Sequence, residues 1–283
     1  MQVLSRELKK EVTKMVAPHV KRRRQRAAGE SMENKKQKII IFGYSHCGTS
    51  ILKSIVGHID EVYEVIGETK AVGRKEIKAA GSSNTKHILI KWPILENKFL
   101  SGKAYKDYIK IFIVRNPLWV YSSLNRRYNQ KDVDKIVGKR SCDKFIYVAK
   151  QFVYYRDNPQ KNLYLIRYED MFKNNYQYLR ELFDSIGFNY TDQIFNNCEY
   201  VNRIFPKHEI PTEMPDENNS PAAFRTYQIN QPFVNNNHIS KIDLSERQKN
   251  ILINDKYIRE IYPDIESVFL TSHKLTNNMD NSS

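Results

Sequence analysis

One continuous stretch, residues 38–56, constrains the fold more than any other part of the chain. It begins with the apolar run KIIIFGY, passes through the turn GYSHCGTS at residues 43–50 and continues as ILKSIV. A strand that leads directly through a glycine-containing turn into a helix points backbone N–H groups and a helix N-terminus at an anion. The stretch therefore predicts a phosphate-binding strand–loop–helix; a turn of this kind that serves packing alone is the alternative.

Further short runs rich in Ile, Val or Tyr have the length of buried strands: residues 61–66, 87–92, 108–115 and 162–169. Helices are expected after Gly48, after Pro117, over 143–156, over 176–186 and from Ser245, where Ser245 and Gln248 have the spacing of a capping box. This alternation is typical of a parallel sheet covered by helices. The expected fold class is therefore α/β, a three-layer sandwich with a central parallel sheet and a phosphate loop like that of P-loop NTPases.

Charge is distributed unevenly along the chain. The sequence has 46 Lys plus Arg and 32 Asp plus Glu, a net charge of +14, and residues 1–38 alone carry +8. The apolar content of 40% is enough for one large α/β domain, or at most two small ones. We therefore predict a basic N-terminal extension over residues 1–35, a domain over 36–270 and a polar tail over 271–283. The extension either contacts an acidic partner such as a nucleic acid or only aids solubility.

The cysteines and the apolar runs exclude several classes of protein. Cys47, Cys142 and Cys198 form no Cys-x-x-Cys pair, so neither a disulfide framework nor a thiolate zinc site is supported, and no metal is expected. The longest apolar runs are far shorter than the roughly 20 residues that span a bilayer. No secretory signal is visible. The sequence therefore predicts a cytoplasmic protein without a membrane span.

The glycine turn differs from a nucleoside triphosphate site. The spacing Gly43-x-x-x-x-Gly48 matches a Walker A loop, but Thr49 and Ser50 follow where that loop has Lys-Ser or Lys-Thr. The lysine that would hold the β- and γ-phosphates is absent, and the run 108–115 has no Asp to hold Mg²⁺. A small-molecule kinase thus lacks two of its parts and stays a minor alternative.

A second anion site is indicated about seventy residues later. Arg115 ends an apolar run, Asn116 suits a helix N-cap and Pro117 suits the first helical position. Ser123 lies seven residues after Asn116, nearly two helical turns, so it shares the direction of the cap. Arg115 and Ser123 can therefore converge on one phosphate. The alternative is an arginine paired with a carboxylate and a serine that fills a helix face.

Together these motifs resemble the sulfotransferases that use 3′-phosphoadenosine 5′-phosphosulfate (PAPS). In that family a [KR]-x-G-T-[ST] element holds the 5′-phosphosulfate, and an Arg followed eight positions later by a Ser binds the 3′-phosphate. The corresponding strings here are 46–50, HCGTS, and Arg115 to Ser123. Residues 162–188 look like the family's strand, Tyr-Glu-Asp segment and following helix. The resemblance covers residues 38–188 well and residues 240–264 loosely.

Two further strings are similar to the tyrosylprotein branch of that superfamily. Residues 67–70, GETK, look like its Gly-Glu-Thr-Arg segment, whose Glu is the catalytic base, and residues 91–93, KWP, look like its Lys-x-Pro segment. The resemblance thus implies that Glu68 is the general base, and that Lys91 and His46 stabilise the departing charge. A surface carboxylate at position 68 and a solvated lysine at position 91 are the alternatives.

The resemblance implies transfer of a sulfuryl group from PAPS to an acceptor hydroxyl or amine. The acceptor is expected to be a small molecule, a carbohydrate or a peptide, in a pocket shaped by residues 189–243. A non-catalytic nucleotide- or nucleic-acid-binding protein on the same fold is the alternative. The donor-binding residues implied are those of the turn and of the second anion site: Ser45, His46, Cys47, Gly48, Thr49, Ser50, Arg115 and Ser123.

Two positions of the turn raise questions of chemistry. The family usually has Lys or Arg where this chain has His46, and an imidazole is only partly charged near neutral pH. Either His46 serves as an acid or Lys91 carries more of the charge stabilisation, and reduced activity is a third outcome. Cys47 is either a small filler of the loop or, at a helix N-terminus, a thiol with a lowered pKa.

Overall fold

A single five-stranded sheet organises the described residues of the computed structural model, which are 36–65, 67–128, 141–195, 235, 237–239 and 242–271. The strand order is β2-β3-β1-β4-β5 and every pairing is parallel. The predicted α/β class with a central parallel sheet is confirmed. The strands are β1 (Gln37–Phe42), β2 (Val62–Glu64), β3 (His87–Trp92), β4 (Ile109–Val114) and β5 (Leu163–Arg167).

Helices occupy most of the connections between these strands. They are α1 (Thr49–Gly57), α2 (Arg74–Gly81), α3 (Asn97–Ser101), α4 (Pro117–Tyr128), α5 (Ser141–Asp157), α6 (Gln177–Ile186), α7 (Glu246–Asn254) and α8 (Lys256–Ile261). The predicted basic extension over 1–35, Cys198 and most of the predicted tail over 271–283 lie outside the described residues. Within the described ranges, the helices are all too short or too polar to cross a bilayer.

The central strands are buried on both faces, which explains why their sequences are continuously apolar. Along β1, Ile39 and Ile41 pack into one cluster, whereas Ile40 and Phe42 pack into the other. Helices α1 and α6 cover the first face, through Leu52, Ile55, Val56, Leu179, Leu182 and Phe183. Helices α4, α5, α7 and α8 cover the second face. The result is the three-layer sandwich that the sequence predicts.

Some element boundaries differ from the sequence-based expectations. The first predicted strand, 38–44, was too long: β1 ends at Phe42, because Tyr44 turns to accept a hydrogen bond from the Cys47 amide at 3.1 Å. The fifth ends at Arg167, where a 3₁₀ helix (Tyr168–Phe172) begins. Helices α2 and α3 were not expected. Helix α2 buries only Ala80 and so has no apolar periodicity to reveal it.

The predicted start of α7 is confirmed. The Ser245 hydroxyl accepts a hydrogen bond from the Gln248 amide at 3.2 Å. The Gln248 side chain in turn accepts one from the Ser245 amide at 3.1 Å. This reciprocal pair satisfies two of the N–H groups that a helix start leaves without partners.

Topology places a crevice at the carboxyl edge of the sheet. Strands β1 and β4 are neighbours, but α1 leaves β1 on one face and α4 leaves β4 on the other. Connections that diverge in this way open a crevice between two strand ends, and ligands of open α/β sheets bind there. The glycine turn and Arg115 both lie at this point.

Candidate functional site

The glycine turn connects β1 to α1 in a tight, strained path. His46 and Gly48 both have left-handed backbone conformations, with φ of 66° and 91°. A Cβ on Gly48 would lie 2.4 Å from the ring of Tyr168, so the turn packs against this ring without room for a side chain. The Cys47 amide is already bonded to the Tyr44 carbonyl inside the turn. Ser45 lies within the same turn.

Helix α1 begins with N–H groups directed to the end of the turn. Its N-cap residue is Gly48, which has no side chain to cap them. The first amides of a helix have no intrahelical partner, and they carry the positive end of the helix dipole. The hydroxyl-bearing residues Thr49 and Ser50 open this first turn. The local geometry suits a phosphate group.

Cys47 fills the loop and is not a reactive thiol. Its side chain is fully buried, and this burial raises the pKa of the thiol to about 12. Burial thus favours the neutral thiol over the thiolate. The expectation of a small loop filler is confirmed, and the alternative of a lowered pKa is wrong.

The Arg115 guanidinium points at the glycine turn. Its Nη1 donates to the backbone carbonyl of His46 at 3.2 Å, and its Cζ lies 4.3 Å from the centre of the Tyr168 ring. Nε and Nη2 both donate to Asn237 Oδ1, at 2.9 and 2.6 Å. Among the described residues, the Arg115 guanidinium thus donates to neutral oxygens, so the alternative of a direct arginine–carboxylate pair does not describe this geometry.

Asn116 caps α4 as its sequence indicates. Its Oδ1 accepts from the Leu118 amide at 3.0 Å, while its own amide donates to Glu169 Oε1 at 2.9 Å. Two turns further along α4, Ser123 Oγ lies 2.7 Å from His46 Nδ1. The glycine turn therefore contacts both residues of the second anion site, Arg115 and Ser123.

Asn237 and Glu169 complete this cluster, and sequence reasoning missed their role. The Asn237 amide donates to Glu169 Oε1 at 3.0 Å, so Asn237 bridges Glu169 and Arg115. Tyr262 donates to Glu169 Oε2 at 3.3 Å, and burial raises the pKa of the Glu169 carboxyl. The sequence analysis identified Glu169 only as part of the Tyr-Glu-Asp segment and gave it no part in either anion site. Nothing in the asparagine-rich string around position 237 distinguishes it from its neighbours.

A second cluster forms where β2 and β3 end. Lys91 Nζ lies 2.9 Å from Glu68 Oε1 and donates to Ser50 Oγ at 2.8 Å. Lys91 is only 7% exposed, so the alternative of a solvated strand-end lysine is wrong. The Thr69 amide donates to the Lys91 carbonyl at 3.0 Å, which fixes the loop that carries Glu68 against β3.

The two clusters lie at one edge of the sheet and share the β1–α1 connection. His46 belongs to the first and Ser50 to the second. The structure thus gathers Glu68, Lys91 and Ser50 in one group and His46, Arg115 and Ser123 in the other. Among the residues described, no group of three His, Cys, Asp or Glu side chains is placed to hold a metal ion.

Comparison with protein-family models finds no match, and comparison with curated protein sequences finds none either. Solved structures do match. The mouse sulfotransferase SULT7A1, complexed with PAP, has a TM-score of 0.52 and 12% sequence identity over 85% of this chain and 90% of that chain. A retinol dehydratase in complex with retinol and PAP matches over 85% of this chain and 82% of its own, with 12% identity. Its TM-score of 0.40 is too low to establish a common fold.

The match to SULT7A1 covers nearly the whole of both chains, so it concerns the complete α/β architecture. It agrees with the fold that the strings at 46–50 and 115–123 imply. The described part of this chain therefore has the sulfotransferase fold.

Proposed function

We propose that this protein transfers a sulfuryl group from PAPS to an acceptor hydroxyl or amine. One observation carries the proposal: the Arg115 guanidinium lies on the carbonyl of His46, in the glycine turn, at 3.2 Å. Two anion sites that the sequence indicates separately thereby share one crevice. A nucleotide with phosphate at both its 5′ and 3′ positions matches two adjacent sites, whereas ATP has phosphate at the 5′ position only.

The residues present fit such a donor. The first amides of α1 and the hydroxyls of Thr49 and Ser50 would hold the 5′-phosphosulfate. Arg115 and Ser123 would hold the 3′-phosphate, since a guanidinium offers a charged fork and a serine a short donor. Mouse SULT7A1, which has the same fold, is complexed with PAP. The bound donor would supply the activated sulfuryl group.

We assign the role of general base to Glu68, whose carboxylate lies 2.9 Å from Lys91 Nζ. It would take the proton from the acceptor as the acceptor oxygen or nitrogen attacks sulfur, a contribution of about a hundredfold to ten-thousandfold in rate. Lys91, which lies between Glu68 and Ser50, would stabilise the negative charge that develops on the departing oxygen. The ammonium thus serves both the carboxylate and the leaving group.

His46 stands where the family has a lysine or arginine. Its Nδ1 is hydrogen-bonded to Ser123 Oγ, so a contact of the imidazole with the donor would be made through the opposite ring nitrogen, Nε2. In this arrangement we assign most of the charge stabilisation to Lys91 and give His46 the task of fixing Ser123.

A non-catalytic nucleotide-binding protein on the same fold is the second candidate. The observation that favours it is the same His46, because its Nδ1 is used within the protein and the usual cation is replaced. Such a protein would bind the bisphosphate without consuming PAPS.

Two measurements test these proposals. Thermal unfolding is compared with adenosine 3′,5′-bisphosphate and with Mg-ATP, since a ligand that binds only the native state raises the melting temperature. We expect the bisphosphate alone to stabilise the protein; stabilisation by Mg-ATP alone would favour a kinase. Transfer from ³⁵S-labelled PAPS is then followed with a panel of phenols, sugars and tyrosine-containing peptides. Binding without transfer to any of them would favour the non-catalytic candidate.

The identity of the acceptor, the cytoplasmic location and an acidic partner for residues 1–35 stay predictions. Most of the loops expected to shape the acceptor pocket, within residues 196–234, lie outside the described residues.

A further inference from the structure

Lys53, on α1, is a buried lysine to which the proposed reaction assigns no part. Lys53 is only 6% exposed. The ammonium donates to the carbonyls of Val65 at 2.7 Å and Gly67 at 3.3 Å, and it lies 2.9 Å from Glu64 Oε1. An ammonium has three protons, so these three oxygens match its full donor capacity. All three belong to the segment that directly precedes Glu68.

Glu64 is itself held in place for this contact. A Cβ on Gly57 would lie 2.3 Å from Glu64 Oε2, so the carboxylate packs against the last turn of α1 where a glycine leaves room for it. Burying an unpaired ammonium is costly, and the Glu64 carboxylate offsets that cost. The ammonium is thereby shared between this carboxylate and the backbone carbonyls of Val65 and Gly67.

The loop that carries Glu68 has its other anchors on β3. The Val65 amide donates to the Leu89 carbonyl at 2.9 Å, and the Thr69 amide donates to the Lys91 carbonyl at 3.0 Å. Between these anchors the chain passes through Gly67, whose φ of 76° marks a sharp change of direction. Lys53 holds the carbonyl of this residue, immediately before Glu68.

We infer that Lys53 is a positioning residue that holds the backbone before Glu68, so that the Glu68 carboxylate stays against Lys91. Ser50 and Lys53 are three residues apart and so share one face of α1. The helix that begins at the proposed donor site is therefore connected to the Glu68 loop directly through Lys53, and indirectly through Ser50 by way of Lys91. The effect of Lys53 on turnover rests on the proposed function, whereas its effect on the position of the Glu68 loop does not.

The first test measures the loop directly. Hydrogen exchange of peptides within residues 67–72 is compared for wild type, Lys53→Met, Lys53→Arg and Lys110→Met. Lys110, in β4, is a matched control because it is also a buried lysine, 5% exposed, and lies on a different strand from those that anchor the Glu68 loop. We expect Lys53→Met to speed exchange of the Thr69 amide about tenfold, the scale of one lost charged hydrogen bond. Lys110→Met should leave this segment unchanged.

The second test uses turnover, with the acceptor that the panel identifies. Lys53→Met should lower kcat about tenfold or more and leave KM for PAPS unchanged, because the donor contacts of α1 remain. Lys53→Arg should recover part of kcat, since a guanidinium keeps the charge and the donors. When Glu68 has already been replaced by Gln, adding Lys53→Met should lower kcat by less than about a further twofold. The effects of two residues that act through the same group are not additive.

Unchanged exchange at residues 67–72 in Lys53→Met would overturn the inference, whatever the turnover shows. An equal loss of protection in Lys110→Met would do the same, because it would reflect general loosening of the fold. If the wild type transfers no sulfuryl group, the proposed function fails. Faster exchange confined to Lys53→Met would still support the role of Lys53 in holding the Glu68 loop. If Lys53→Met does not fold, Lys53→Arg decides: retained protection of Thr69 supports the inference and lost protection contradicts it.

Discussion

At the scale of single residues, the site depends on how Arg115 is oriented. Tyr168 lies beneath its guanidinium, the His46 carbonyl accepts from Nη1, and Asn237 accepts from Nε and Nη2. A planar group held at three nitrogens and one face has little freedom left to lose when a ligand binds. Such preorganisation increases affinity because less ordering is required on association.

Replacing Arg115 with Ala should weaken binding of adenosine 3′,5′-bisphosphate by about 2 to 5 kcal/mol, the usual range for removing one partner of a buried charged contact. Isothermal titration calorimetry measures the change. Arg156→Ala, which removes a surface arginine paired with Asp157 and Glu260, is the control and should bind like wild type. An affinity for Arg115→Ala equal to that of the control contradicts the assignment of the 3′-phosphate site.

Replacing His46 with Lys should preserve or raise the rate of sulfuryl transfer. The substitution places a full positive charge where the imidazole is only partly charged near neutral pH. It also removes the ring that contacts Ser123 Oγ at 2.7 Å, so affinity for the bisphosphate is measured in parallel with kcat. Complete loss of turnover with intact binding would show that the imidazole has an essential role of its own.

At the scale of elements, the β1–α1 connection depends on a glycine that no other residue can replace without strain. Gly48 has a φ of 91°, and the Tyr168 ring leaves no space for a Cβ. The same ring packs against Arg115, so the turn and the proposed 3′-phosphate site share one packing partner. A substitution in the turn should therefore affect both the stability of the turn and the position of Arg115.

Gly48→Ala should lower the free energy of unfolding by about 1 to 3 kcal/mol or more, since a left-handed backbone and a close contact are strained together. It should also reduce the thermal stabilisation by the bisphosphate. Gly81→Ala in α2 is the matched control: no atom lies within 4 Å of its added Cβ, and this change should be neutral or slightly stabilising. Equal stability of the two variants, measured by urea denaturation, would show that the turn tolerates a side chain.

At the scale of the whole molecule, a buried histidine couples stability to pH at the amino edge of the sheet. His87, the first residue of β3, is 9% exposed and lies edge-on to Phe188. Its Nδ1 has no hydrogen-bond partner among the described residues, and its Nε2 is 3.5 Å from Glu61 Oε1, while Oε2 of the same carboxylate pairs with Lys86. Burial lowers the pKa of His87, with Glu61 opposing the shift.

The folded protein therefore binds fewer protons at His87 than the unfolded chain, whose histidine pKa is about 6.5. The stability that this group contributes is complete above that value and decreases as the pH falls through it towards the lower folded pKa. We expect the free energy of unfolding to fall between about pH 7 and pH 5. In His87→Leu the decrease over this window should be smaller; an identical slope would mean that His87 does not titrate in it. The lowered pKa of Glu61 acts separately, at more acidic pH.

The parts of the site that are local in sequence could be predicted without coordinates. The Asn116 cap, the two-turn spacing from it to Ser123 and the strand–glycine–helix order each depend on neighbours within about two helical turns, where backbone periodicity dictates direction. The continuously apolar strands likewise indicated a parallel sheet with both faces covered. From these features the fold class, which the structure confirms, and the two predicted anion sites follow.

Contacts between distant segments required the tertiary structure. Asn237 reaches Arg115 across 122 residues and His46 reaches Ser123 across 77, and neither pairing has a periodic signal. The burial of Lys91 and the contacts of Lys53 with the Glu68 loop depend on which strands are neighbours. Many strand orders are compatible with the same apolar runs. Sequence alone thus indicated most of the local elements, although not α2 and α3, and which of them have groups suited to an anion. Only packing decided which of them meet, because the order of strands is set by the summed burial of the whole core rather than by any single segment.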